Sequence, residues 1–235
     1  MSESPTAPLA ASKKGLYLYT SSTPNGRAAS VLLEELKDVY PNIDYDWERI
    51  EFQKNTQKEP WFLAMNPNGR IPVLVDKGKD NFNVFETSAI LLYLTDHYDK
   101  DKVFTFDPAK EPKNYSEMVQ WMLFAHGGIG PMQGQSHHFH RYAPEDLHYA
   151  KNRYFNETKR LYGVLELRLK DREYLAGAGK GKYTIADIKT FPWISHHKMA
   201  NIETLDEWPG VKAWFECVTQ REAAKRGIEI GRSPD

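Results

Sequence analysis

The sequence predicts an α/β domain followed by an all-helical domain. Strand-like patterns occur within the first 98 residues, whereas beyond residue 113 the apolar positions recur only at helical spacing. Between these regions, residues 99–113 (DKDKVFTFDPAKEPK) are charged and interrupted by proline, as linkers commonly are. A chain of 235 residues is long enough to form two such domains, each with its own hydrophobic core.

The first domain, residues 15–98, alternates strands and helices. Residues 15–20 (GLYLYT) and 43–50 predict two strands, which flank a helix beginning at Arg27. We then expect a short helix over Pro60–Met65, strands at 71–75 and 83–85, and a helix over Thr87–Tyr98. Residues 1–14 are small, polar and proline-containing, which predicts a disordered tail.

The second domain, residues 114–225, shows only helical patterns, and residues 226–235 are expected to form a C-terminal tail. Its clearest helices are predicted at 115–125, 145–169 and 209–220. The segment Thr184-Ile-Ala-Asp187 fits a variant capping box, in which a hydroxyl caps a helix and a carboxylate follows three residues later. This pattern gives Asp187 a structural role.

Composition and charge exclude several classes of function. A single cysteine rules out an intrachain disulfide, a CxxC redox pair and a thiolate zinc site. A net charge of −1 gives no indication of a nucleic-acid-binding surface. The longest apolar run, residues 89–94, is far below the ~20 residues that span a bilayer. We therefore expect a soluble, cytoplasmic protein without nucleic-acid or membrane partners.

A proline, Pro72, opens the third predicted strand. A βαβ–ββα domain with a proline at this position resembles the thioredoxin fold, in which this proline is usually cis. In that fold the preceding residue, here Ile71, pairs through its backbone with an extended peptide ligand. An ordinary proline at the start of an edge strand is the alternative interpretation.

Two other segments follow predicted strands and open predicted helices. At Glu86-Thr87-Ser88, helix N–H groups and the Thr87 hydroxyl favour a carboxylate, while Glu86 suits an ammonium group, so the pair fits the end of an α-amino acid. At Thr23-Pro24-Asn25-Gly26, the Thr23 hydroxyl or the Asn25 amide could donate a hydrogen bond to a thiolate. A plain N-cap and a plain turn are the respective alternatives.

Together these segments resemble the cytosolic glutathione transferases over residues 15–225. The matching segments, in the family's order, are TPNG, NPNGRIPVL, FETSAILLYL and TIAD. Two longer segments, residues 121–145 and 153–166, resemble the nu class and the fungal group related to the yeast nitrogen-catabolite regulator, a prion protein. The resemblance implies an N-terminal thioredoxin-like domain and a C-terminal helical bundle.

The resemblance also implies a glutathione site, residue by residue. Asn25 and Thr23 would be the catalytic residues, close to the glutathione sulfur. A serine-type mechanism through Ser21 or Ser22 is the alternative, although both serines precede the loop position that matches the family. Thr87 stands where the family usually has serine and keeps the hydroxyl. The remaining ligands would be Ile71 for the cysteinyl backbone, Glu86 and Thr87 for the γ-glutamyl end, Gln57 and Arg70 for the glycine carboxylate, and Arg153 at the mouth of the site.

The function implied by the resemblance is a glutathione transferase with disulfide-bond reductase, and also peroxidase, activity. Glutathione would be the cosubstrate, glutathione disulfide a ligand, and a small electrophile or disulfide the acceptor, in a homodimer with a role in detoxification. The alternative is a non-catalytic protein of the same fold, either a regulator or a carrier of apolar ligands lined by Trp121, Phe124 and Phe139.

The histidines outside these segments are expected to lie near the acceptor-substrate cleft or to pack between helices, and the cysteine is expected to be structural. The cluster of His126, His137, His138 and His140 lacks the spacing of a metal motif, so no metal site is predicted. Cys217 lies on an amphipathic helix and is expected to be a buried thiol rather than a nucleophile.

Overall fold

The computed structural model describes Leu9 and residues 11–233. The chain divides into two compact units, one formed by Met1–Lys100 with Glu222–Asp235 and the other by Asp101–Arg221. No helix within the described part of the chain is long and apolar enough to cross a membrane.

The first unit contains a four-stranded mixed sheet with strand order β2-β1-β3-β4. Strand β1 pairs in parallel with β2 and antiparallel with β3, and β3 pairs antiparallel with β4. The strands are β1 (Leu16–Thr20), β2 (Tyr45–Arg49), β3 (Val73–Asp76) and β4 (Phe82–Phe85). This arrangement confirms the predicted thioredoxin-like domain, although β3 begins one residue after Pro72.

Three helices connect these strands: α1 (Pro24–Val39), α2 (Pro60–Met65) and α3 (Thr87–Tyr98). Helix α1 begins at Pro24, three residues before the predicted start, because proline suits the first position of a helix. Of its apolar positions at helical spacing, Ala28, Leu32 and Leu36 are fully buried, whereas Val39 at the end of the helix is 38 % exposed. Short 3₁₀ turns lie at Phe52–Lys54, Thr56–Lys58 and Lys77–Lys79.

The second unit is helical, which confirms the predicted fold class. It contains α4 (Pro112–Phe124), α5 (Gly130–Arg141), α6 (His148–Leu169), α7 (Ile185–Ile194) and α8 (Pro209–Thr219). A π-helical turn, Ala125–Ile129, joins α4 to α5, and a 3₁₀ turn lies at His197–Ala200. Helix α5 was not predicted, since its glycines and histidines obscure any apolar stripe.

The C-terminal segment differs from the predicted tail. Residues Glu222–Glu229 form a further helix, α9, which belongs to the first unit. Its buried face consists of Ala223, Ala224 and Gly227. Small residues of this kind allow another helix to approach closely.

The N-terminal tail prediction falls partly outside the described residues, which exclude 1–8 and 10. Leu9 packs against the core cluster of the first unit, and its carbonyl accepts a hydrogen bond from Lys77 Nζ at 3.0 Å. The Ser12 hydroxyl donates to Asp46 Oδ2 at 2.6 Å. These described positions are therefore attached to the sheet.

Asp187 is the centre of a buried hydrogen-bond cluster in the second unit. Its carboxylate accepts from the N–H groups of Thr184 at 2.9 Å and Leu175 at 3.0 Å, and from Trp214 Nε1 at 2.9 Å. The Thr184 hydroxyl accepts from the Ala186 N–H at 3.3 Å, which completes the predicted capping box. Burial raises the pKa of Asp187 to about 6, although the hydrogen bonds lower it.

We expect Asp187→Ala to reduce the free energy of unfolding by about 3–5 kcal/mol, because it leaves four buried donors without this acceptor, the Thr184 hydroxyl included. Asp206→Ala is the control, since the exposed Asp206 carboxylate interacts with Lys212 and Thr204 at the surface. Urea denaturation of both variants checks this expectation. Equal losses of stability would contradict the structural role of Asp187.

A second buried polar cluster links α5, α6 and α7. Gln133 Nε2 donates to the Trp193 carbonyl at 2.7 Å and lies 3.3 Å from His137 Nε2, while the Tyr162 hydroxyl donates to Gln133 Oε1 at 2.9 Å. Burial, followed by the nearby His196, lowers the pKa of His137 to about 4. His137 is therefore a neutral core histidine.

Because of this lowered pKa, His137 makes the stability of the protein depend on pH. The native protein binds fewer protons at this site than the unfolded chain between about pH 4 and 6.5, so stability is lost as pH falls through that range. Between pH 6.5 and 4, we expect the wild type to lose about 2–3 kcal/mol more than His137→Gln. Urea denaturation across that range measures the difference, with His148→Gln as an exposed-site control. Parallel curves of unfolding free energy against pH for wild type and His137→Gln would contradict this expectation.

Candidate functional site

The register of the sheet brings three candidate segments to one end. Tyr19 of β1 pairs with Val73 of β3, and Val73 pairs with Phe85 of β4. The loop after β1, the residues before β3 and the start of α3 therefore meet at the same end, which we call the site edge. The predicted residues in these segments are Thr23, Asn25, Ile71, Glu86 and Thr87.

At the site edge, the loop after β1 leads directly into the N-terminus of α1. Thr23 caps this helix: its backbone is extended, and its Oγ1 accepts from the Gly26 N–H at 3.2 Å. Within the described chain, the Thr23 hydroxyl has no recorded acceptor for its own proton. Half-buried Asn25 lies in the first turn of α1, where backbone N–H groups favour an anion.

Gly26 permits the tight turn of this loop. A Cβ at that position would lie 2.2 Å from the Ser21 carbonyl oxygen and 2.5 Å from Thr20 Oγ1. No other residue type can occupy this position without displacing the loop. This close approach cannot be seen in the sequence, where Pro-Asn-Gly fits an ordinary turn.

The residue before β3 has its backbone available for a ligand. The Ile71–Pro72 peptide bond is cis, and Pro72 is buried while Ile71 is half-buried. Among the described residues, none is recorded as hydrogen-bonded to the Ile71 N–H or carbonyl. Both groups can therefore pair with an extended peptide.

The segment after β4 has an unusual backbone. Glu86 has φ 68° and ψ 119°, although glycine is the residue that usually adopts a positive φ. Such a conformation costs about 1–3 kcal/mol and is concentrated at functional sites. Glu86 is exposed, and the Thr87 side chain that follows is 4 % exposed at the N-terminus of α3. This places a carboxylate and a helix N-terminus side by side.

Gln57 and Arg70 lie in two loops that are tied together. Lys58 Nζ donates to the carbonyls of Asn68 at 3.2 Å and Gly69 at 3.0 Å. Gln57 Oε1 is buried without a hydrogen-bond partner in the described structure. Arg70 is exposed. Lys58, which sequence analysis did not single out, is thus the residue that connects the two loops.

Arg153 belongs to the second unit, where it is exposed on α6. It lines a cavity of about 450 Å³. The other lining residues are Met132, Tyr149, Asn152, Tyr154, Asn156, Glu157 and Arg160. The Glu157 carboxylate is engaged by Arg160, at 2.7 and 2.8 Å. The hydrogen bond from Arg160 lowers the pKa of the Glu157 carboxyl, and Arg153 lies near enough to help lower it.

The aromatic residues proposed to line a carrier pocket do not line this cavity. Trp121 and Phe124 contact each other edge to face at 5.6 Å between ring centroids. Phe139 stacks on Tyr154 at 5.5 Å. These contacts are typical of helix packing.

The described residues contain no group of three or more histidine, cysteine, aspartate or glutamate side chains that could hold a metal ion. Cys217 is exposed, so the expectation of a buried thiol was wrong. The reason is its position on α8, where Trp214 and Val218 form the buried stripe instead.

Comparison with known proteins finds a family match for each of the two domains. The model of the glutathione S-transferase N-terminal domain matches residues 14–96, and that of the C-terminal domain matches residues 136–222. The disulfide-bond oxidoreductase YfcG of Escherichia coli (strain K12) is 37% identical over 215 residues, covering 90% of this chain and 93% of its own. Glutathione S-transferase 2 of Schizosaccharomyces pombe is 35% identical, covering 88% of this chain and 91% of its own.

A solved structure with the same fold is that of the glutathione transferase URE2P8 from Phanerochaete chrysosporium with oxidized glutathione. It has a TM-score of 0.85 and 32% sequence identity, and the match covers 93% of this chain and 96% of that chain. The two domain models, the relatives and this structure agree on one assignment. The chain belongs to the glutathione S-transferase family.

Proposed function

We propose that this enzyme uses the thiolate of bound glutathione to reduce disulfide bonds, with weaker transfer of glutathione to electrophilic carbon and a peroxidase activity. The observation that carries the proposal is the site edge, where Thr23, Asn25, Ile71, Glu86 and Thr87 come together. The loop that would face the sulfur contains hydroxyl and amide groups but neither a phenol nor a thiol. A sulfur nucleophile at this edge must therefore come from glutathione.

The loop after β1 stabilises the thiolate by hydrogen bonding. The Thr23 hydroxyl and the Asn25 amide donate to the sulfur, and the N-terminus of α1 adds favourable electrostatics. Lowering a thiol pKa by 2 from about 8.5 requires about 2.7 kcal/mol. One hydrogen bond to a charged group contributes about 1.5–3 kcal/mol, so one or two donors suffice.

The rest of the glutathione molecule is held by contacts to its backbone and to its two ends. The N–H and carbonyl of Ile71 pair with the cysteinyl residue, as in strand addition. The γ-glutamyl carboxylate lies at the N-terminus of α3 near Thr87, and its ammonium group pairs with Glu86. Gln57 and Arg70 bind the glycine carboxylate. These contacts fix the sulfur without taking part in the reaction.

Reduction then proceeds by two thiol–disulfide exchanges. The glutathione thiolate attacks one sulfur of the substrate disulfide, forming a mixed disulfide and releasing the other half as a thiolate that takes up a proton. A second glutathione thiolate attacks the glutathione sulfur of the mixed disulfide. Two molecules of glutathione are oxidised to glutathione disulfide, and the substrate disulfide is reduced to two thiols. No protein cysteine takes part.

Arg153 supplies a guanidinium group for an acceptor with a carboxylate. Such groups bind carboxylates through two parallel hydrogen bonds, and glutathione disulfide and mixed disulfides of glutathione carry several carboxylates. We also propose that the protein is of the nu class and forms a homodimer. Its proposed location is the cytoplasm, because turnover consumes reduced glutathione and needs a reducing compartment.

Asn25→Ala is expected to lower kcat/KM for hydroxyethyl disulfide about 10- to 100-fold, because one hydrogen bond to the thiolate is lost. Asn114→Ala is the control, since Asn114 also lies in the first turn of a helix that begins with proline, α4, and its amide donates to Glu111 at the surface. Steady-state kinetics with glutathione measures both variants. Unchanged rates for Asn25→Ala would contradict its role at the sulfur.

The preference for disulfides is tested separately with the wild type. We expect turnover of hydroxyethyl disulfide to exceed that of chlorodinitrobenzene at equal glutathione concentration. If only chlorodinitrobenzene reacts, the enzyme is a conjugating transferase and the reductase proposal is wrong. If glutathione neither binds nor reacts at millimolar concentration, a non-catalytic regulator or carrier of the same fold becomes the better account.

A further inference from the structure

The C-terminal helix lies directly on α1, the helix that begins at the site edge. A Cβ on Gly227 of α9 would lie 2.5 Å from Val31 Cα, so the two helices approach more closely than any side chain allows. Ser30 Oγ donates to the Gly227 carbonyl at 2.7 Å. Arg226 adds an ion pair with Glu34 at 2.9 Å. These three contacts therefore fix the position of α9 against α1.

The chain that leaves α9 reaches the loop that precedes Thr23. The Ser22 N–H donates to the Gly231 carbonyl at 3.1 Å. Gly231 has φ 77°, and a Cβ there would lie 3.0 Å from two backbone atoms of Ser21 and 3.2 Å from the Ser22 nitrogen. Glycine is required at this position both by its backbone conformation and by this contact.

A charged side chain of α1 holds the same loop. Arg27 Nη2 donates to Ser22 Oγ at 2.9 Å. Arg27 is attracted by Glu229 and repelled by Arg232, both in the C-terminal segment. Ser22 is thus held through its N–H by Gly231 and through its hydroxyl by Arg27. It is the residue immediately before Thr23.

We propose that residues 227–231 are a positioning element that sets the reactivity of the bound thiolate by fixing Ser22, and through it Thr23 and Asn25. This inference rests on the proposed function of the site edge and adds a part of the chain that touches no substrate. A displacement of about 1 Å at a reacting group can reduce a rate about 100-fold. A loop that carries two thiolate donors therefore needs an external anchor, and the end of the chain provides one.

The test is Gly231→Ala, with Gly179→Ala as the matched control. Both glycines have positive φ, 77° and 58°, so both substitutions carry a similar backbone cost. A Cβ on Gly179, in the second unit, has nothing within 4 Å, whereas a Cβ on Gly231 meets Ser21 and Ser22. Only the first substitution therefore displaces the loop.

The decisive measurement is the pH profile of kcat/KM for disulfide reduction, together with glutathione affinity by calorimetry. We expect Gly231→Ala to raise the apparent pKa of the bound glutathione thiol by about 1 and to lower kcat/KM at pH 6.5 about tenfold. Glutathione affinity should change less than about threefold, because Ile71, Glu86 and Thr87 still hold the peptide. Gly179→Ala should leave the pH profile at its wild-type position.

A pair of truncations keeps the test valid if Gly231→Ala does not fold. A chain ending at Ile230 lacks the Gly231 carbonyl, whereas a chain ending at Arg232 keeps it; we expect only the first to show the raised thiol pKa. If neither Gly231→Ala nor the chain ending at Ile230 shifts the pH profile, or if both unfold, the segment has a merely structural role and the inference is wrong. Absence of glutathione binding by the wild type would instead refute the proposed function itself.

Discussion

The site depends on the register of three strands. Because Tyr19, Val73 and Phe85 are paired across β1, β3 and β4, the end of one strand, the start of another and the end of a third meet at one edge. A shift of one residue in either pairing would turn the side chains to the opposite face of the sheet. The contacts proposed for Thr23, Ile71, Glu86 and Thr87 follow from this alignment, since these residues lie within four residues of Tyr19 or within two of Val73 or Phe85.

The chemistry follows from what that edge contains. Two helices, α1 and α3, begin there, and helix N-termini favour anions such as a thiolate and a carboxylate. The edge offers donors but no thiol of its own; the protein's only cysteine, Cys217, is on α8 of the second unit. A thioredoxin-like domain without a dithiol is suited to binding a thiol-containing peptide, which agrees with the family assignment.

Much of the fold could be predicted from local patterns, because alternation, helical spacing and the Thr184–Asp187 capping box each reflect short-range physics. Helix α5 was missed because its buried face uses small or polar residues, such as Gln133 and Ser136, which leave no apolar stripe. Helix α9 has eight residues, and its buried face consists of the small residues Ala223, Ala224 and Gly227. The segments of the site were found as motifs. Their meeting at one edge, the buried Gln57 oxygen and the contact of Gly231 with Ser22 depend on tertiary structure, which no local pattern encodes.

A crystal structure of the protein with bound glutathione tests the central claim most directly. The account predicts that the cysteinyl N–H and carbonyl pair with Ile71, that the γ-glutamyl carboxylate lies at the N-terminus of α3 beside Thr87, and that the sulfur is within hydrogen-bonding distance of Thr23 Oγ1 or the Asn25 amide. Glutathione bound only in the cavity beside Arg153, or with its sulfur directed away from Thr23 and Asn25, would contradict it.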